Sequence, residues 1–321
     1  MAEPFKVLTG EGGRDERWIP MAHLLESDID LSPQCGCTPK LLDVSFQLER
    51  ALAEALRLNA LRVEYQPQYD LDSGRGCGVE ALARWTRSSG ESVAPSVFIP
   101  LAERAGMIHA LGAWILQSAC ATASACGNTG SRPTTLSVNV SALQIDEQFS
   151  TVIERALELS RFPANRLELE ITESALIANP ALTIEYLEEW KQLGVRIALD
   201  DFGTGYSSLS YLSRLPVDRL KLDRSLTHRM TLDRKSAAVM RSIVSLGAEL
   251  DMEVIAEGVE TEVQVQMLKD LGCPQGQGYL LGRPMPAAQA QAVLGRPWGN
   301  RPMRLADGVA VAADKLPAHA F

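Results

Sequence analysis

The stretch "NPALTIEYLEEWKQLGVRIALDDFGTG", residues 179–205, decides the fold. Asn179 is an expected helix N-cap, Pro180 suits the first helical position, and Gly194 is an expected helix stop. The apolar run after Gly194 has the composition of a strand, and it ends in two adjacent aspartates. The stretch therefore predicts a helix followed by a strand that ends in carboxylates.

The same alternation of helix and strand extends in both directions from this stretch. Strand-like runs are expected at eight places: residues 62–71, 78–85, 134–142, 167–174, 195–201, 218–225, 252–259 and 276–282. Repeated βα units predict parallel strands with right-handed crossovers, and no GxGxxG follows the first strand, which disfavours a dinucleotide-binding fold. The number of units and the chain length favour a TIM (β/α)8 barrel.

The connection between the first two strands departs from that pattern. In "VEYQPQYDLDSGRGCGVEAL", residues 63–82, only a short turn at Asp72-Ser73-Gly74 separates the two strands. A hairpin of this length has no room for a crossover helix, so the two strands are expected to be antiparallel. The predicted fold is α/β, a modified TIM barrel with an antiparallel first strand.

Composition sets the domain limits and excludes several classes of protein. The 321 residues carry a net charge of −9, which disfavours a nucleic acid polymer as partner. Residues 1–43 and 296–321 are expected to be poorly structured tails around a barrel of residues 44–295. No apolar run is long enough for a membrane span and no signal peptide is evident, so we expect a cytoplasmic protein without membrane contact. Its six cysteines and four histidines lack the spacing of a zinc site.

Polar side chains occupy the carboxyl ends of seven expected strands, the edge at which barrel enzymes carry their chemistry. In chain order they are Glu80, Asn139, Glu170, Asp200 with Asp201, Lys221, Glu257 and Gln277. One acidic residue in such a place is ordinarily a helix cap or a solvated side chain, but here seven strands present polar groups to one edge. Five carboxylates beside one lysine need a further cation, and oxygen ligands favour Mg²⁺ or Mn²⁺.

The adjacent pair Asp200 and Asp201 constrains the backbone. Neighbouring side chains of a regular strand point to opposite faces, so both carboxylates reach one metal only if the strand ends or bulges there. Gly203 and Gly205 would permit such a bend. One carboxylate could then bridge two ions about 4 Å apart, as in two-metal phosphodiester hydrolysis.

Several motifs resemble those of the EAL-domain family, bacterial phosphodiesterases of cyclic di-GMP. The triplet that names the family is Glu80-Ala81-Leu82, within "GVEALARW". The other motifs are in family order: "YQPQYDL", "SVNVS", "LELEITES", "ALDDFGTGYSSLSYL", "RLKLD", "VIAEGVET" and "GQGYLLGRP". The similarity covers about residues 46–294, and the family fold, a TIM barrel with an antiparallel first strand, agrees with the predicted hairpin.

The resemblance implies a role for each residue of the site. Two Mg²⁺ or Mn²⁺ ions would be held by Glu80, Asn139, Glu170, Asp200, Asp201 and Glu257. Of these ligands, Glu80 and Glu257 would also be catalytic residues. Lys221 would lie next to the attacking water, and Gln277 would orient that water. The substrate side would consist of Gln66, Arg84, which would face a phosphate, and Asp223. The loop after Asp200 would be steadied by Thr172, Glu173, Gly203, Gly205 and Glu260.

The implied reaction is metal-dependent hydrolysis of cyclic di-GMP to linear pGpG, and the family also implies a homodimer. Whether Lys221 acts as a base or as a positioning donor stays open, and Asp223 could be a substrate-side group or a partner of Lys221. Glu168, two residues before Glu170, is expected to point away from the barrel interior. Two other functions are considered: a cyclic di-GMP receptor with little turnover, and a different barrel hydrolase such as a glycosidase, which would work in EDTA.

Overall fold

The computed structural model describes most of the chain, in these ranges: residues 5–6, 18–19, 39–126, 134–176, 179–203, 212–294 and 297–298. Most of the predicted tails, residues 1–43 and 296–321, lie outside these ranges. Within the N-terminal tail, Phe5–Lys6 pairs antiparallel with Trp18–Ile19. The first helix, α1 (Pro39–Arg57), begins before residue 44 and so includes the last residues of that predicted tail.

Eight strands form a closed barrel. They are β1 (Leu61–Asp70), β2 (Gly76–Thr86), β3 (Thr135–Val140), β4 (Leu167–Thr172), β5 (Arg196–Phe202), β6 (Arg219–Leu222), β7 (Glu253–Ala256) and β8 (Gln275–Gln277). β1 lies between β2 and β8 and is antiparallel to both, whereas the other neighbouring strands are parallel. The predicted barrel with an antiparallel first strand is confirmed. The last strand is shorter than expected, because the chain turns after Gln277 and Leu280 N–H binds the carbonyl of Val259.

Helices surround the barrel. After α1 they are α2 (Pro95–Arg104), α3 (Ile108–Cys126), α4 (Glu147–Ser160), α5 (Pro180–Gln192), α6 (Arg224–Arg229), α7 (Arg234–Glu249), α8 (Glu262–Asp270) and α9 (Ala287–Leu294). Asn179 caps α5 by accepting from Leu182 N–H, and Thr261 and Gln264 form a capping box at α8. Among the described residues, no helix has the length and apolar character needed to cross a membrane.

The apolar core lies between the strands and the helices. Phe149 of α4 and Trp190 of α5 pack at 5.5 Å between ring centroids, and Trp85 of β2 packs edge-on against Phe98 of α2. The barrel interior is polar instead, and its buried side chains include Gln66, Gln68, Glu80, Ser137, Glu168, Glu170, Arg219, Lys221 and Gln277. Every one of these groups needs a partner, because a buried polar group without one is costly.

The lower layer of the interior, which we term the barrel floor, is an ion-pair cluster around Arg219. Its guanidinium Nη1 lies 2.7 Å from Glu168 Oε1 and its Nη2 lies 2.6 Å from Glu253 Oε2. Arg219 is 2% exposed and Glu168 is 0% exposed, and the hydroxyl of Ser137 donates to Glu168 as well. The expectation that Glu168 points away from the interior is therefore wrong. Residues i and i+2 of a strand share a face, so Glu168 lies below Glu170 on the inner face of β4.

The floor predicts a large stability loss for Arg219→Met. The substitution leaves the carboxylate of Glu168 buried without its main cationic partner, and the expected decrease in the free energy of unfolding is about 3–5 kcal/mol. Urea titration of the purified protein measures it. In the control Arg87→Met, which removes a surface pair with Glu91, the expected loss is about 1 kcal/mol or less. Equal stability of Arg219→Met and the wild type would contradict the assignment.

Candidate active site and metal centre

The upper layer of the barrel interior centres on the ammonium group of Lys221. This side chain is 1% exposed and extends from β6 into a ring of carboxylates. The distances from Lys221 Nζ are 2.8 Å to Glu170 Oε2, 2.9 Å to Glu257 Oε1, 3.1 Å to Asp200 Oδ1 and 3.9 Å to Glu80 Oε1. The structure thus brings together residues that sequence analysis placed at the ends of separate strands.

Glu80, in β2, is held by amide donors. Asn139 Nδ2 donates to its Oε1 at 2.7 Å and Gln277 Nε2 donates to its Oε2 at 2.5 Å. Burial alone would raise the pKa of Glu80, but the charge of Lys221 and these hydrogen bonds outweigh it, so the net pKa lies below the ordinary value. Glu80 is therefore a carboxylate with a fixed orientation.

Glu170, in β4, is the most deeply buried carboxylate of the ring. Its Oε2 lies 2.8 Å from Lys221 Nζ, whereas its Oε1 is buried and has no hydrogen-bond partner in the described part of the chain. Burial and the nearby charges of Glu80 and Asp200 hold its pKa well above the ordinary value, against the effect of Lys221. A divalent ion would add positive charge beside this buried carboxylate and a contact for Oε1.

The two adjacent aspartates lie at a bulge, as the sequence required. The pairing of β5 with β6 shifts register between Leu199 and Phe202, and Asp201 has a left-handed φ of 55°. Asp201 N–H donates to Asp200 Oδ1 at 2.9 Å. This conformation lets both aspartates stay on one side of the strand.

The carboxylates of Asp200, Asp201 and Glu257 form a compact group of oxygen ligands. One ligand atom from each lies within 4.8 Å of the others, close enough to hold a metal ion. Burial and the neighbouring charge of Asp200 raise the pKa of Asp201, and burial, opposed by Lys221, raises the pKa of Glu257 to about 7. Together with Glu170, these residues fit a hard divalent cation.

The proposed substrate-side residues surround the mouth of the barrel. Gln66 Nε2 donates to the carbonyl of Gly282 at 3.1 Å. Arg84 Nε donates to Glu64 Oε2 at 2.8 Å, which holds its guanidinium group in place. Asp223 caps α6 by accepting from the N–H of Ser225, so its carboxylate is engaged at the start of that helix.

The residues that the resemblance implies in steadying the loop after Asp200 lie at different distances along the chain from its described beginning, residues 201–203. Thr172 is opposite Asp200 in the β4–β5 register, and Glu173 begins the short 3-10 turn Glu173–Leu176. Glu260 is exposed, and its backbone N–H binds Gln264. Gly203 has a φ of 97°, and a Cβ there would lie 2.6 Å from Leu226 Cδ1, so this position requires glycine. Gly205 and the rest of residues 204–211 lie outside the described residues.

Sequence analysis missed three residues that support the site. Gln68 and Arg219 occupy the layer below it, and Glu64 holds Arg84 at the mouth. Alternation along "YQPQ" could have indicated that Gln66 and Gln68 share the inner face of β1. The partners of these side chains come from distant parts of the chain, which no local pattern identifies.

Comparison with known proteins identifies the family of this chain. The sequence profile described as EAL domain matches residues 49–284. The chain belongs to the EAL domain family. The bifunctional diguanylate cyclase/cyclic di-GMP phosphodiesterase MucR of Pseudomonas aeruginosa is 41% identical over 252 residues, 77% of this chain and 36% of MucR. The cyclic di-GMP phosphodiesterase NbdA of the same organism is 39% identical over 249 residues, 77% of this chain and 32% of NbdA.

A solved structure extends the comparison to three dimensions. The PaMucR phosphodiesterase in complex with c-di-GMP aligns with a TM-score of 0.72 and 41% identity, over 76% of this chain and 99% of that one. The EAL domain described here therefore shares its fold with a solved EAL relative. The chain spans about a third of the length of the two curated relatives named above.

The carboxylate ring predicts that Lys221→Met unfolds more easily than the wild type in EDTA. Without the ammonium group, the buried carboxylates repel one another, so we expect the free energy of unfolding to fall by on the order of 3 kcal/mol. A loss of this size lowers the melting temperature by several degrees. Thermal unfolding in EDTA measures it, with the exposed Lys269→Met as control. An unchanged melting temperature for Lys221→Met would contradict the described ion pairs.

Proposed function

We propose that this chain is a metal-dependent phosphodiesterase that hydrolyses cyclic di-GMP to linear pGpG. The observation that carries the proposal is a cluster of five carboxylates at one end of an EAL barrel, four of which lie within 3.9 Å of one buried lysine. MucR and NbdA, which are named as cyclic di-GMP phosphodiesterases, support the same substrate. The net charge of −9 gives no general attraction for an anionic dinucleotide, so the local cations of the site have to supply it.

We propose that two Mg²⁺ or Mn²⁺ ions complete the site. Their oxygen ligands would be Glu80, Asn139, Glu170, Asp200, Asp201 and Glu257. When bound, such ions lower the pKa of water and stabilise the charge that develops on a phosphodiester. The buried oxygens of Glu170 and the grouped carboxylates of Asp200, Asp201 and Glu257 support this ligand set.

Lys221 is proposed to act as a charged donor rather than as a base. A base must be neutral, yet three carboxylate oxygens lie within 3.1 Å of its Nζ. Burial alone would lower the pKa of Lys221, but the charges of these carboxylates outweigh it and hold the pKa well above the ordinary value. Its ammonium group would hold the carboxylates in place beside the water that attacks phosphorus, while Gln277 would orient that water.

The substrate side is proposed to use Arg84 for a phosphate and Gln66 for the nucleotide. Arg84 is half-buried, its Nε donates to Glu64 and its Nη1 donates to the carbonyl of Ala83, so Nη2 is the nitrogen proposed to meet ligand oxygens. The homodimer and the cytoplasmic location implied by the resemblance are part of the same proposal, and sedimentation analysis tests the first of them.

The proposal predicts metal-dependent release of pGpG from cyclic di-GMP. Purified protein is incubated with the dinucleotide in Mg²⁺, Mn²⁺ or EDTA, and products are separated by chromatography. Turnover is expected in both metals and absent in EDTA. Asp200→Asn and Glu80→Gln keep the side-chain shape but lose a charged ligand, so turnover should fall by about 100-fold or more.

Glu147→Gln, a change at the exposed first turn of α4, is the control and should keep full turnover. Tight binding of cyclic di-GMP without turnover in either metal would instead support the receptor function. Activity that persists in EDTA would contradict the metal centre and would revive the alternative of a metal-independent barrel hydrolase.

Arg84→Met predicts a weaker substrate complex. Loss of a charge-assisted hydrogen bond to phosphate costs about 1.5–3 kcal/mol, so KM should rise about 10- to 100-fold with a smaller change in kcat. Steady-state kinetics measure both constants, and the exposed Arg241→Met on α7 is the control. A KM within twofold of the wild type would exclude Arg84 from the substrate side.

A further inference from the structure

A chain of side-chain amides connects the barrel floor with the proposed metal site. It begins at Arg219, whose Nη1 donates to Gln68 Oε1 at 3.5 Å. Gln68 Nε2 donates to Gln277 Oε1 at 3.0 Å, and Gln277 Nε2 donates to Gln66 Oε1 at 3.1 Å and to Glu80 Oε2 at 2.5 Å. Register creates this chain, because β1 places Gln68 opposite Gln277 and Gln66 opposite Glu80.

The direction of donation along this chain is fixed at both ends. The guanidinium of Arg219 can only donate, so Gln68 turns its oxygen to the floor and its NH2 group to Gln277. Gln277 therefore accepts on its oxygen and points its own NH2 group at Glu80. At the other end, the backbone carbonyl of Gly282 can only accept, which turns Gln66 Nε2 toward it and Gln66 Oε1 toward Gln277.

The strand beside Gln68 leaves room for its amide. Gln68 is 0% exposed, and the residue opposite it in β2 is Gly78. A Cβ on Gly78 would lie 2.4 Å from Gln68 Oε1, which is too close for any side chain to coexist with the amide in this position. A glycine in the middle of a strand weakens it, so its presence here has a packing reason.

The floor itself cannot shift easily. Arg219 is held by Glu168 at 2.7 Å and by Glu253 at 2.6 Å, from β4 and β7. A side chain anchored to two strands gives Gln68 a fixed reference point.

We propose that Gln68 is a positioning residue that fixes the amide of Gln277 and, through it, the carboxylate of Glu80. Gln68 does not reach the mouth of the barrel, so it acts through its hydrogen bond to Gln277, which in turn contacts Glu80. The inference rests on the proposed function, because it assigns Glu80 to the metal and Gln277 to the attacking water. Loss of such an outer partner of a metal ligand typically weakens metal binding or activity about 10- to 100-fold.

The test compares Gln68→Met with Gln275→Met. Methionine keeps an unbranched side chain of similar length but cannot donate to Gln277. Gln275 is the matched control, since it lies on β8 and donates to Glu253 Oε2, which also binds Arg219, so its loss perturbs the floor without removing a member of the amide chain. Calorimetry with Mn²⁺ gives the metal Kd, and steady-state kinetics with cyclic di-GMP give kcat and KM.

For Gln68→Met we expect the Mn²⁺ Kd to rise about 10-fold and kcat to fall about 10-fold, with KM within about twofold of the wild type. Gln275→Met should keep all three values. If Gln68→Met does not fold, Gly78→Ala is the second variant, because it displaces the same amide, and the same changes are expected. The inference is overturned if Gln68→Met keeps both the Mn²⁺ Kd and kcat, or if Gln275→Met loses them equally.

Failure of the proposed function has a different signature. A wild type that binds Mn²⁺ but does not hydrolyse cyclic di-GMP would overturn the phosphodiesterase, while the Mn²⁺ Kd of the two variants would still decide the role of Gln68. A wild type that neither binds Mn²⁺ nor turns over the dinucleotide would overturn both.

Discussion

The rest of the site depends on the ion pairs that the buried ammonium group of Lys221 makes with the surrounding carboxylates. A charge that is 1% exposed is tolerated only with close partners, and Glu170, Asp200 and Glu257 supply them. Three carboxylates surround one positive charge, so the lysine alone cannot neutralise them and negative charge remains unbalanced. The same ring that stabilises Lys221 therefore creates a demand for further cations, which links the folding of this barrel to the metal chemistry proposed for it.

A polar interior of this kind requires each strand to keep its register. In many barrels the interior is filled by branched apolar residues, whereas here it holds two polar layers, the floor around Arg219 and the ring around Lys221. A shift of one residue would turn these charges outward into the apolar core between strands and helices. The ion pairs thus specify the alignment of the strands, and the helices outside supply the apolar burial.

Local patterns in the sequence were sufficient to predict the eight strands, the hairpin after β1 and the cap at Asn179, because neighbouring residues determine each of them. The prediction for Glu168 was wrong because it ignored the period of two along a strand. The amide chain through Gln68 depends on the pairing of β1 with β8, whose paired residues are about 200 positions apart in the sequence. The left-handed backbone of Asp201 was not predicted either, because the sequence indicated a strand end or bulge at the two aspartates but offered Gly203 and Gly205 for the bend.

The central claim is that the ring around Lys221 is a site for divalent cations. The most direct test is X-ray diffraction at the manganese absorption edge, from crystals grown with Mn²⁺. The account predicts two anomalous peaks about 4 Å apart, bounded by Glu80, Asn139, Glu170, Asp200, Asp201 and Glu257. Well-ordered crystals in saturating Mn²⁺ with no peak among these residues would contradict the claim.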